Sequence, residues 1–176
     1  RGRRLRGGKQ SRMDELLPEV SIALPDQGAI DLAALFPKCK EHWLEIGFGG
    51  GEHLMHQAAH NRDVGIIGCE PYINGIAGLL KSIDDHKLTN VRIYPHDARL
   101  LLEKIPDASF SRVFILYADP WPKARHHKRR LISTEFLNEL ARVMKPGAVL
   151  RLASDWADYV TWMLERLLPH PDFSWT

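Results

Sequence analysis

Glu45-Ile46-Gly47-Phe48-Gly49-Gly50-Gly51 follows the run His42-Trp43-Leu44-Glu45-Ile46 and leads straight into Glu52-His53-Leu54-Met55-His56-Gln57-Ala58-Ala59. The first run reads as a short buried strand, and the last as a helix with Leu54, Met55 and Ala58 inward. Glycines at such a corner supply unusual backbone angles and let a ligand approach the main chain, while the helix start presents free N–H groups. A strand, a glycine corner and a helix in direct succession predict an alternating α/β fold with a ligand held at the corner.

Spacing separates two kinds of ligand. The dinucleotide fingerprint G-x-G-x-x-G needs glycine where Glu52 stands, which disfavours a pyrophosphate and with it a nicotinamide dehydrogenase. What fits is acidic-x-G-x-G-x-G, the form that accompanies S-adenosylmethionine in Rossmann-like methyltransferases, with Glu45, Gly47, Gly49 and Gly51 as candidate cofactor residues. A carboxylate at Glu45 suits a cationic amino acid and sulfonium better than a phosphate. Two further strands end in acids. Val64–Glu70 places Glu70 about 20 residues beyond the glycines, where this architecture puts the acceptor for ribose hydroxyls. Asn90–Ala98 places Asp97 and Ala98 at the position that lies beside the adenine.

The alternation continues along the chain. A capped turn of helix is expected over Asp31–Phe36, helices over Tyr72–Ile83, Ala98–Ile105, Ser133–Met144 and Trp156–Leu168, and strands over Ser111–Tyr117 and Ala148–Ala153. This pattern predicts a doubly wound, mostly parallel sheet of the class I S-adenosylmethionine-dependent methyltransferase kind, with ligands at the carboxyl ends of the strands. Residues 1–12 are glycine- and arginine-rich and read as a flexible basic arm, Met13–Leu17 as a turn of helix, and residues 13–176 as one methyltransferase domain.

Composition narrows the class. The chain has 176 residues, enough for one substantial core. Its apolar runs are strand-length, and no charged-then-apolar leader opens it, so neither a membrane span nor secretion is expected. Cys39 and Cys69 show no pairing pattern, which points to a reducing cytoplasm. The net charge of +2 conceals an uneven distribution. Eleven cations fall in the acid-free stretches Arg1–Arg12 and Lys123–Arg130, so the other 13 face 22 carboxylates and leave the rest of the chain near −9. An acidic body with two basic patches suggests a polyanion bound at particular places.

The fourth strand runs into Ala118-Asp119-Pro120-Trp121-Pro122-Lys123, where a carboxylate, rigid prolines and a large aromatic make a slot for a planar base. Guanine offers donors at N1 and N2 to a carboxylate and keeps N7 free as a nucleophile. Alkylation puts positive charge on the ring, which a nearby carboxylate stabilises. Asp119 and Asp155, each just beyond a strand end, form that candidate pair. An adenine or cytosine amino group also fits such a loop. His126, His127 and the His53/His56 pair have no Cys or acid partner at ligand spacing, so no metal is expected. Trp156, Tyr159 and Trp162 read as core.

Asp119-Pro120-Trp121-Pro122-Lys123-Ala124-Arg125-His126-His127-Lys128-Arg129-Arg130, with Glu45-Ile46-Gly47-Phe48-Gly49 and Ser154-Asp155, resembles the bacterial tRNA (guanine-N7-)-methyltransferase family of the TrmB type, from the first strand to Trp162. The D-P-W-x-K-x-R-H-x-K-R-R run is the diagnostic part. The resemblance implies methylation of N7 of a guanine in the tRNA variable loop (position 46), with S-adenosyl-L-methionine as cofactor and tRNA as partner. It implies cofactor contacts at Glu45, Glu70, Asp97 and Asp119, with Asp119 also catalytic, and substrate contacts at Lys123 and Asp155. Arg125, Arg129 and Arg130 join these as candidate phosphate ligands. Two departures stand out: Ala118 replaces the family's proline, and the family's T-x-[FY]-E segment and final strands are not found before Thr176, so the domain is expected to be C-terminally incomplete. An amino-directed nucleic-acid methyltransferase and an inactive tRNA-binding module remain as rivals, and both monomer and homodimer remain open.

Overall fold

Side-chain alternation along the strands decides which helices cover which face of the sheet. The computed structural model describes residues 8–175. Five strands, β1 (Glu41–Ile46), β2 (Val64–Cys69), β3 (Val91–Tyr94), β4 (Phe110–Leu116) and β5 (Met144–Ala153), pair in parallel in the order β3-β2-β1-β4-β5. Leu44, Ile46, Ile67, Val113 and Ile115 point to one face, and Trp43, Ile66, Val91, Ile93 and Phe114 to the other. All six residues of β2 are buried, as a central strand covered on both sides requires.

Each face recruits its own helices. α1 (Gly8–Val20), α3 (Glu52–His60) and α4 (Ile73–His86) bury Val20, Leu54, Ala58, Ile76, Leu79, Leu80 and Ile83 against the Trp43 face. α2 (Leu32–Leu35), α5 (Ala98–Leu102), α6 (Thr134–Val143) and α7 (Ala157–Leu167) supply Leu32, Leu101, Leu102, Phe136, Leu137, Leu140, Tyr159 and Met163 to the other. Strand order reverses between β1 and β4, the switch point at which such sheets open a crevice at their carboxyl ends.

The expected elements are present, with informative differences in extent. Asp31 caps α2 by accepting from Ala34 N at 3.0 Å, and Ser133 caps α6 by accepting from Phe136 N at 3.2 Å. α6 stops at Val143 and β5 begins at once, at Met144, so Lys145-Pro146-Gly147 lies inside a strand rather than in a turn. That strand lies at the end of the sheet order, where a proline is tolerated. α1 is longer than the turn expected over Met13–Leu17 and includes residues 8–12 of the segment read as an arm. Arg12 bonds Asp84 of α4 at 3.2 Å, while residues 1–7 of that segment lie outside the described residues.

One close approach positions the glycine corner. A Cβ built on Gly75 of α4 would lie 2.1 Å from the Gly49 carbonyl oxygen, and one on Gly78 would lie 2.9 Å from that of Gly50. Glycines three apart on one helix face therefore let α4 rest directly on the corner's backbone. Gly75→Ala must push the helix and the corner apart, at a cost of about 1–3 kcal/mol. Thermal denaturation should show a midpoint lowered by several degrees.

Candidate active site

Parity explains where Glu45 goes. It shares a face with Trp43, so its carboxylate turns inward toward α3 and is only 3% exposed. There its Oε2 lies 2.6 Å from His53 Nδ1. Burial pushes the Glu45 carboxyl above its usual range, and the bond and charge of His53 draw it back. Gly47 and Gly49 have φ of 73° and 55°, and nothing lies within 4 Å of the place a Cβ would occupy on either. The outer side of the corner is thus an open cradle that a side chain would fill. Gly51, also at positive φ, instead packs against Leu79, where a Cβ would come within 2.8 Å. It fits as a packing position at the start of α3 rather than as cradle wall.

Glu70 follows β2 and joins the first two loops. Its Oε2 accepts from Gly49 N at 3.0 Å and its Oε1 from Tyr72 N at 2.8 Å. Asp97 follows β3 and caps α5, accepting from Arg99 N at 3.0 Å and from Arg99 Nη1 at 2.8 Å. Ala98 is buried beside it. Glu45, the glycines, Glu70 and Asp97 therefore stand at three neighbouring strand ends along one edge of the sheet.

β4 lies next to β1, with Glu45 opposite Phe114, so the loop after β4 opens beside the glycine corner. Tyr117 N donates to Ala153 O at 2.8 Å, tying this loop to the end of β5, and exposed Asp119 and Asp155 follow those two strands. Tyr117 and Trp121 hold φ of 57° and 44°, a region that costs free energy for any residue with a Cβ and that is concentrated at functional sites. Tyr117 is also 67% exposed. Sequence reasoning missed it because a tyrosine at positive φ leaves no mark in the sequence.

The basic run after Trp121 forms a 3-10 helix over Ala124–Arg129. Lys123, Arg125, Lys128 and Arg129 are exposed along it, and the Arg129 guanidinium lies 4.9 Å from the centre of the Trp121 ring. Arg130 departs from the expectation of a phosphate contact. Its side chain is 1% exposed, its Nε donates to Pro120 O at 2.8 Å, its Nη2 bonds the Asp158 carboxylate, and it lies over the Tyr159 and Trp162 rings. It closes the loop that begins at Pro120 and pins it to α7, while Lys128 and Arg129 just before it face out. On α7, Tyr159 is core as expected, whereas Trp156, the residue before that helix, is 43% exposed.

Among the described residues no three His, Cys, Asp or Glu cluster to hold a metal, and no helix is long and apolar enough to cross a membrane. A groove lined by Asn138, Arg142, Lys145, Gly147, Asp172 and Phe173 lies at the amino end of β5, the opposite edge of the sheet from these acids.

The fold is that of class I methyltransferases. A solved antibiotic-related methyltransferase superposes with a TM-score of 0.58 over 83% of this chain and 75% of that one at 16% identity. A 16S rRNA methyltransferase, KamB, gives 0.57 over 84% and 68% at 17% identity. A family described as putative methyltransferase matches residues 40–176. The chain is 50% identical to the tRNA (guanine-N(7)-)-methyltransferase of Caulobacter vibrioides over 94% of its own length and 72% of that protein's. It is 49% identical to the protein of that name from a Ruegeria species, over 99% and 70%. The chain belongs to the tRNA (guanine-N7-)-methyltransferase family.

Arg130 and Arg129 should separate cleanly on mutation. Arg130→Ala removes two ring contacts and the link to Pro120, and should cost about 2 kcal/mol, or roughly 4–8 °C in thermal midpoint. Arg129→Ala, at an exposed position, should leave the midpoint within a degree or so.

Proposed function

We propose that the protein transfers the methyl group of S-adenosylmethionine to N7 of a guanine in the variable loop of tRNA. The observation that carries this reading is the pairing of β1 with β4, which sets the glycine corner and the Asp119-Pro120-Trp121 loop side by side, with the exposed cations running on from that loop.

The residues present fit the cofactor. Glu45 offers a buried carboxylate to an amino acid's ammonium, the open faces of Gly47 and Gly49 admit a chain against the backbone, Glu70 accepts from ribose hydroxyls, and Asp97 with Ala98 borders the adenine. When bound, S-adenosylmethionine supplies a methyl group activated by a sulfonium.

The chain's residues then need only orient and neutralise. Asp119 and Asp155 accept hydrogen bonds from N1 and N2 of the guanine, leaving N7 directed at the methyl carbon. Held at Glu45, Glu70 and Asp97, the cofactor would supply its methyl to the N7 lone pair and would keep the S–C electron pair on sulfur. Positive charge passes to the purine, where the two carboxylates stabilise it. No proton has to leave N7, so no general base is required. Lys123, Arg125 and Arg129 hold phosphates and fix the register of the tRNA. Residues 13–176 act as the methyltransferase unit, working in the cytoplasm where tRNA is found.

Labelled S-adenosylmethionine and unmodified bulk tRNA, followed by digestion, should give 7-methylguanosine. Asp119→Ala should lower the rate about 100-fold or more. Recovery of a base methylated on an amino group would replace this reading, and transfer by Asp119→Ala at the wild-type rate would remove Asp119 from it.

A further inference from the structure

Three side chains form a hydrogen-bonded chain beneath the glycine corner. Gln57 Nε2 lies 3.2 Å from His53 Nε2, and His53 Nδ1 lies 2.6 Å from Glu45 Oε2. The Gln57 amide engages the ring at Nε2, and an ionised carboxylate can only accept, so Nδ1 carries the proton aimed at Glu45. His53 and Gln57 are four apart on α3 and share a helix face. Phe114, opposite Glu45 on β4, meets the His53 ring edge-on at 4.8 Å between centres and holds its plane.

We propose that His53 is a positioning residue for the cofactor's amino-acid end, keeping the Glu45 carboxylate ionised and turned so that Oε1 receives the ammonium. This rests on the S-adenosylmethionine reading above and adds to it a residue that acts on the cofactor only through Glu45. The need for it follows from burial. A carboxylate 3% exposed drifts toward its neutral, protonated form, which cannot pair with an ammonium, and a short charge-assisted bond opposes that drift. At Glu45's level in the sheet the neighbours are Gly68 of β2 and Phe114 of β4, neither ionisable, and His53 faces it from α3. The histidine is therefore the group on which the anion depends.

The sign of the pH dependence follows. Glu45 must be ionised for binding, so affinity falls as pH drops through its pKa. Removing the His53 donor lets burial raise that pKa further, so the loss begins at a higher pH.

The test is calorimetric titration of S-adenosylmethionine into the intact chain between pH 5.5 and 8, with thermal midpoints as a check on folding. His53→Leu should weaken binding roughly tenfold at neutral pH and move the pH midpoint of binding upward. His53→Asn, whose amide N–H stands close to the place of Nδ1, should recover most of the affinity. Gln57→Leu, which removes the partner of Nε2 but keeps the Nδ1 donor, should lose about threefold. Methyl transfer at saturating cofactor should be little changed in each. Wild-type binding and pH profile in His53→Leu, or an Asn variant as weak as the Leu variant, would overturn the proposal. A wild-type chain that binds no S-adenosylmethionine would instead remove the functional reading beneath it.

Discussion

The crevice depends on one carboxylate. Glu70 accepts from the backbone N–H groups of Gly49 and Tyr72, so the loops leaving β1 and β2 share an anchor that belongs to neither helix. A buried carboxylate that accepts two main-chain donors has its desolvation offset where it sits. The same bonds set the height of Gly49, and that height is what Gly75 of α4 meets through its missing side chain. Corner, second loop and α4 are thus one mechanical unit, and each holds only because the other two are in place. The open face of the corner is a by-product of this bracing: with the backbone held from behind by α4 and from the side by Glu70, its outer surface is free for a ligand.

A second unit is built on a cation. Arg130 sits where a run of basic residues ought to face water, yet it bonds Pro120 and Asp158 and lies between two aromatic rings. Guanidinium suits this place better than ammonium, since its plane stacks on rings while its edge donates. Asp158 is held below the usual carboxylate range by its bond to Arg130. The run therefore divides its labour: its last residue fastens the loop, and its exposed members remain available to a polyanion.

Much of the fold was legible in the sequence because its signals are local. Apolar runs of strand length, helical periodicity and capping residues such as Asp31 and Ser133 each report on a few neighbours in sequence, and every expected strand and helix lies within a few residues of its predicted place. The acids at strand ends were legible for the same reason, since topology alone carries Glu45, Glu70 and Asp97 to one edge. What was hidden is relational. The inward turn of Arg130, the seat of α4 on Gly49 and the His53–Glu45 bond each need a partner more than eight residues away or on another element, or a φ that the residue type disfavours. His53 was weighed as a metal ligand and set aside, and only the parity of β1 together with the start of α3 reveals its partner.

The two units also resolve an electrostatic conflict within the proposed reading. A crevice that gathers Glu45, Glu70, Asp97, Asp119 and Asp155 along one sheet edge repels the phosphates of any nucleic acid brought to it. Over distances beyond about 10 Å salt screens that repulsion, but within the crevice it does not. The cations therefore have to stand close to the acids without neutralising them. A 3-10 helix beginning three residues after Trp121 does this: Lys123 just before it and Arg125 and Arg129 along it are exposed, and Arg130 at its end fastens the segment to Pro120 and α7. Under that reading, separation of the two charges by a fastened loop, rather than net charge, keeps exposed cations beside a row of acids without neutralising them.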